Sequence, residues 1–144
     1  MSNERRASDR PTVRVVAAAL YDDAGRVLIS ERPPGKHLAG RWEFPGGKLN
    51  PGEGEEAALA RELAEELGIT LVRARRLMRL VHDYDDRRVD IALWVVEEFR
   101  GTPIGLDGQQ LKWVLPPTLH DEDMLAADVP FSAALQRLYN ERPS

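Results

Sequence analysis

The chain has 144 residues, 42% of them hydrophobic and 31% charged, a balance that suits one domain with a packed core and a solvated surface. A formal net charge of −4 argues against a domain that grips polymeric nucleic acid electrostatically. The absence of cysteine excludes disulfides, zinc–thiolate sites and thiol nucleophiles.

Residues 1–11 are polar and charged, read as a disordered tail without the apolar core of a signal peptide, and leave residues 12–144 as the domain. The apolar run near the N-terminus, Val15 to Leu20, is far short of the ~20 residues of a spanning helix, so a cytoplasmic protein is expected. TVRVVAAALY (12–21) alternates and then turns wholly apolar, the pattern of a strand buried at its far end. DDAG (22–25) signals a turn, and RVLISER (26–32) reads as the returning strand of a hairpin.

RPPGKHLAG (32–40) is a surface loop by composition, and RWEFPGGKLNPGEG (41–54) holds too many prolines and glycines for regular structure. The spacing predicts a helix from Glu55 to Leu67, with Leu59, Leu63 and Leu67 as its apolar stripe and Gly68 just past its end. ITLVRARRLMRLVHDY (69–84) predicts one long or broken strand, DDRR a turn, VDIALWVVEEF (89–99) a strand, and QQLKWVLP (109–116) a short one. PPTLHDEDML (116–125) reads as a loop or short helix, and PFSAALQRLYN (130–140) as a closing helix. The order β-β-loop-α-β-β-β-α predicts a single mixed α/β sandwich.

The helix carries Glu62, Glu65 and Glu66, which share one face because positions i, i+3 and i+4 do. This cluster lies beside the leucine stripe rather than opposite it. A plain solvated face is one reading, since glutamate favours helices and Arg61 can pair with Glu65. The other reading is a site for a hard divalent cation, which takes carboxylate, carbonyl and phosphate oxygens. The glycine-rich approach PGGKLNPGE, with its free backbone carbonyls, favours the second.

The residues resemble a known pattern throughout. Gly47, Glu53, Arg61-Glu62-Leu63, Glu65-Glu66, Gly68 and Ile69 fill every fixed position of the Nudix box, GX5EX7REUXEEXGU with U a bulky aliphatic residue. The resemblance implies an α/β/α sandwich around a mixed sheet, and an enzyme that hydrolyses nucleoside diphosphates linked to another group, with Mg2+ or Mn2+ as cofactor. By the family pattern, Glu62, Glu65, Glu66 and the Gly47 carbonyl bind metal, Arg61 orients the neighbouring carboxylates, and Glu53 supports the site from the loop. Spacing does not identify the general base; Glu62 or Glu65 is expected, with Asp107 a third candidate.

Within the family, SERPPGKHLAGRWEFPGGK (30–48) resembles the MutT-type enzymes that act on oxidised nucleotides such as 8-oxo-dGTP. That likeness implies Arg32 as a nucleotide contact, Phe44 as lining of a base pocket, Arg87 as a further substrate contact, and Asp107 as an acidic metal residue in a later loop. LAADVP (125–130) resembles the segment whose Asn meets the base edge, but an aspartate, Asp128, stands there. An ionised Asp only accepts hydrogen bonds, whereas Asn also donates. CTP and modified-dCTP pyrophosphohydrolases resemble this segment too, so a cytosine nucleotide is the alternative substrate. A non-catalytic nucleotide-binding module is the rival class, disfavoured because every box glutamate is present. The expected partner is a small nucleotide, with no polymeric nucleic acid and no membrane; monomer and homodimer are both open.

Overall fold

The computed structural model describes residues 10–142. Of the tail expected over 1–11, residues 1–9 lie outside this description. Arg10 sits 3.8 Å from the Asp83 carboxylate, and the Pro11 carbonyl accepts a hydrogen bond from the Arg88 amide at 2.9 Å.

The first strand, β1 (Thr12–Leu20), is half-exposed at its start and buried from Val16 onward. It occupies the middle of a four-stranded sheet, with β4 (Gly46–Lys48) antiparallel on one side and β6 (Arg88–Arg100) parallel on the other. A strand covered on both faces reads as a continuous apolar run, which explains VVAAAL. The expected 69–84 strand is one element, β5 (Thr70–Asp83), antiparallel to β6 at the sheet edge and kinked by register shifts between Leu71 and Met78. Those shifts account for its irregular alternation of exposed and half-buried positions.

A second, three-stranded sheet has the order β3 (Trp42–Glu43), β2 (Val27–Glu31), β7 (Leu111–Val114). Here the hairpin expectation needs correction. Beyond a single antiparallel bridge, Tyr21 to Val27, β2 leaves β1 and pairs with β3 and β7 instead. The local turn signal was sound; the distant segment 111–114 outcompetes β1 as partner. The loop 41–54 likewise holds two short strands, β3 and β4, despite its glycines.

Helix α1 (Glu55–Leu67) covers one face of the larger sheet, burying Leu59, Leu63 and Leu67 completely against Val16, Ala18, Leu20 and Val96. It ends at Gly68, whose φ of 70° is left-handed and whose amide bonds the Ala64 carbonyl at 3.1 Å. Segment 116–121 is a 3-10 helix, and α2 (Val129–Glu141) is the closing helix. Phe131 and Leu135 of α2 bury against the other face, together with Ala17, Ala19, Leu93 and residues of the smaller sheet. Helix, sheets and helix thus form the expected layers around a mixed sheet, as a single domain. Among the described residues no helix is long and apolar enough to cross a membrane.

Candidate active site

Strand β4 lays Gly47 opposite Val16 of the central strand, and the chain then runs through 49–54 into α1. This route brings the start of the glycine loop under the middle of the helix. A β-carbon on Gly47 would overlap the carboxylate of Glu62, so any side chain there displaces that carboxylate from β4. The consequence is a carboxylate pressed against backbone, with the Gly47 carbonyl and Glu62 in one neighbourhood.

Arg61 organises the rest. Its Nε and Nη2 donate to the two oxygens of Glu53 at 2.9 and 2.8 Å, a paired contact. Its Nη1 donates to Glu62 at 2.8 Å and Glu65 at 3.3 Å, and Nη2 also reaches the Lys48 carbonyl at 2.8 Å. One planar guanidinium therefore joins the loop, β4 and three carboxylates, a task suited to its fixed fork of donors. The Arg61 hydrogen bonds, with that from the Asn50 amide, hold the Glu53 carboxyl down at about 2. Arg61 itself is raised by the hydrogen bonds it donates to Glu53 and Glu62.

The three helix glutamates differ sharply in environment. The Glu65 side chain is 60% exposed, whereas Glu62 keeps only 13% and Glu66 is half-buried. Burial pushes the Glu66 carboxyl up, and the negative charges of Glu62 and Glu43 push the same way, while the Gly46 amide opposes them. Two carboxyls held together away from water are poorly accommodated unless a proton or a cation sits between them. The donor set here, carboxylates plus a backbone carbonyl, consists of hard oxygens and fits Mg2+ or Mn2+. Among the described residues the acids do not stand as a ready cluster of three, since Glu65 turns outward to Arg61.

A cavity of about 390 Å³ opens beside this end of the helix. Glu66, Gly47 and Asp107 line it from α1, β4 and the loop before β7, and Phe44, Asp128 and Arg32 from the smaller sheet and the segment before α2. Arg87 reaches it from the β5–β6 turn, stacked 5.5 Å from the Tyr84 ring centroid. Seven of the expected residues thus share one cavity. Glu53, Arg61, Glu62 and Glu65 lie outside its lining.

Phe44 is buried, and its amide donates to Asp128 Oδ2 at 3.1 Å across 84 residues of chain. Asp128 is only 6% exposed. Burial raises its carboxyl to about 7, with Glu43 adding to the shift and Arg32 and the Phe44 amide opposing it. Arg32 donates to Glu43 Oε2 at 3.0 Å and to the His37 carbonyl at 2.8 Å, so it braces the loop 33–40 against β3. Sequence reasoning missed Glu43, a half-buried carboxyl on the cavity wall, raised by desolvation against the pull of Arg32. Its signal was a charge set between Trp42 and Phe44. Gln109 was missed too; it lines the cavity and bonds the Glu66 carbonyl.

Comparison with known proteins agrees with this architecture. The Nudix domain family model matches residues 15–134. The chain is 33% identical over 126 residues to an Escherichia coli K12 protein named 8-oxo-dGTP diphosphatase, covering 88% of this chain and 98% of that one. It is 34% identical over 129 residues to an E. coli K12 CTP pyrophosphohydrolase, covering 90% and 96%. The solution structure of the E. coli ORF135 protein superposes with a TM-score of 0.83 at 34% identity, over 95% of this chain and 97% of that one. Box, fold and relatives agree, and the chain belongs to the Nudix family of hydrolases.

Proposed function

We propose that this protein is a divalent-cation-dependent nucleoside triphosphate pyrophosphohydrolase, releasing pyrophosphate and a nucleoside monophosphate, with 8-oxo-dGTP as its preferred substrate. The observation that carries the reading is the single cavity shared by the box residues Glu66 and Gly47 and by the buried pair Phe44 and Asp128. Phosphates lie at the first end and the base at the second. A relative named 8-oxo-dGTP diphosphatase over nearly its whole length supports the choice.

Glu62, Glu65, Glu66, Asp107 and the Gly47 carbonyl would hold Mg2+ or Mn2+. When bound, such cations neutralise the phosphates of the substrate and acidify a water. The chain's own work is positional. Arg61 and Glu53 keep Glu62 oriented toward Gly47, and Glu62 or Glu65 accepts the proton of the attacking water. Arg32 and Arg87 offer cationic contacts to the nucleotide, Phe44 packs against the base, and Asp128 meets its polar edge. In this role the enzyme sanitises the nucleotide pool in the cytoplasm and so protects DNA.

A second reading, CTP or a modified dCTP, is favoured by Asp128 standing where the MutT-type pattern has Asn, and by the CTP pyrophosphohydrolase relative. The test is magnesium-dependent turnover of 8-oxo-dGTP, dGTP, CTP and 5-methyl-dCTP by the wild type, Glu62→Gln and Glu65→Gln. Turnover of 8-oxo-dGTP that both EDTA and Glu62→Gln abolish is the expected result. Preference for the cytosine nucleotides moves the assignment to the second reading. No metal-dependent turnover of any of the four sinks both.

A further inference from the structure

The last carbonyls of a helix have no partner within it. In α1 the loop 101–110 supplies them: the Ile104 amide donates to the Leu67 carbonyl and the Leu106 amide to the Glu66 carbonyl, both at 3.0 Å. The Gln109 Nε2 gives the Glu66 carbonyl a second hydrogen bond at 3.2 Å. At its other end the same carboxamide accepts from the Asp107 amide, Oε1 to N at 2.9 Å. Gln109 thus touches both the residue that carries Glu66 and the residue that carries the Asp107 carboxylate.

Apolar burial does not hold this loop, since Ile104 and Leu106 are 60% and 54% exposed. Its position rests on polar bonds. The turn is also tight, because a β-carbon on Gly105 would overlap the Gln109 carbonyl. The Gln110 carbonyl, accepting from the Glu31 amide at 2.9 Å, fixes the outgoing chain against β2. Between these anchors the Gln109 side chain runs across the loop to the end of α1.

We propose that Gln109 is a positioning residue: its carboxamide clamps the loop bearing Asp107 onto the Glu66 carbonyl and thereby sets the spacing between the Asp107 and Glu66 carboxylates. The inference rests on the reading above in which those two carboxylates share a divalent cation. It concerns a side chain outside the box and outside the donor set for the metal. Removing the clamp leaves every ligand in the chain but lets one of them drift, and outer partners of this kind typically set ~10–100-fold in metal affinity.

The test uses the full metal-free chain and Mn2+ as probe, with binding followed by calorimetry and exchange of the Leu106 and Asp107 amides followed by NMR. Gln109→Ala is expected to weaken Mn2+ binding about 10-fold and to speed exchange at both amides at least about 10-fold. Gln109→Glu, which keeps the acceptor for Asp107 but cannot donate to Glu66, is expected to weaken binding as well. Gln110→Ala, one residue on with an exposed side chain, is expected to change neither readout. In an Asp107→Asn background, Gln109→Ala is expected to have no further effect on Mn2+ binding, the mark of action through Asp107. Unchanged binding in Gln109→Ala, or an equal loss in the Asp107→Asn background, overturns the proposal alone. A wild-type chain that binds no Mn2+ overturns it together with the metal-site reading.

Discussion

The carboxylate of Glu62 occupies the space that a side chain on Gly47 would need. The contact joins α1 to β4 alongside the Arg61 bond to the Lys48 carbonyl, so it defines how closely the box closes on itself. Gly47 does not adopt a left-handed conformation, so alanine meets no backbone penalty there; the whole cost falls on Glu62. Gly47→Ala is therefore expected to lower kcat by about 10²-fold, the scale of a catalytic group misplaced by ~1 Å. Circular dichroism should show an intact fold, and steady-state kinetics with the preferred nucleotide give the rate.

Arg61 tests a different point, the value of a fork over a point charge. Lysine keeps the charge but cannot reach Glu53, Glu62, Glu65 and the Lys48 carbonyl at once. Arg61→Lys is expected to cost roughly 10–100-fold in kcat/KM, as loss of a supporting contact does. NMR titration should show the Glu53 carboxyl rising from about 2 toward the usual glutamate range. A Glu53 titration that stays where it was would detach Arg61 from its proposed role.

Asp128 makes stability depend on pH in a defined direction. Its carboxyl titrates near 7 in the folded chain, above the ordinary aspartate value of 3.8. Below about pH 4 both folded and unfolded chains hold the proton. Between there and about pH 7 the unfolded chain releases it first, so stability falls with rising pH and levels off above. Asn keeps an acceptor for the Phe44 amide without titrating. Asp128→Asn is expected to leave stability near pH 4 almost unchanged and to raise it at pH 8, by at most about 4 kcal/mol from a shift of about three units. Urea unfolding at the two pH values reads this directly.

Arg32 braces the loop 33–40 through the His37 carbonyl and anchors to Glu43. Arg32→Ala is expected to raise KM about 10-fold with a smaller change in kcat, the pattern of lost uniform binding. The released loop should also be cut faster by trypsin after Lys36. An unchanged KM would remove Arg32 from the nucleotide site.

These contacts separate what one segment can reveal from what only the folded chain brings together. The box was legible because its chemistry is local: Glu62, Glu65 and Glu66 share a helix face, and Gly47 precedes them at a set distance. The leucine stripe and Gly68 were legible for the same reason. By contrast the Phe44–Asp128 bond spans 84 residues, and the Gln109–Glu66 bond spans 43. No periodicity connects such positions; the resemblance to relatives, not the pattern, singled out Asp128. The departure of β2 from its hairpin has the same origin, since the choice of β7 over β1 is a tertiary competition.

The parallel pairing of β1 with β6 also governs when the molecule can acquire a site at all. Val16 lies between Gly47 on one side and Ala92 on the other, so the platform under α1 is incomplete until the chain has been made past Val96. At ~5–20 residues per second, the box is out of the ribosome's catalytic centre roughly one to several seconds before its last supporting strand. Pairings of such long sequence separation close slowly, on the millisecond-to-second scale rather than in microseconds. The acidic segment is therefore made before the strand that completes its platform, and Asp107 and Asp128 of the cavity follow later still.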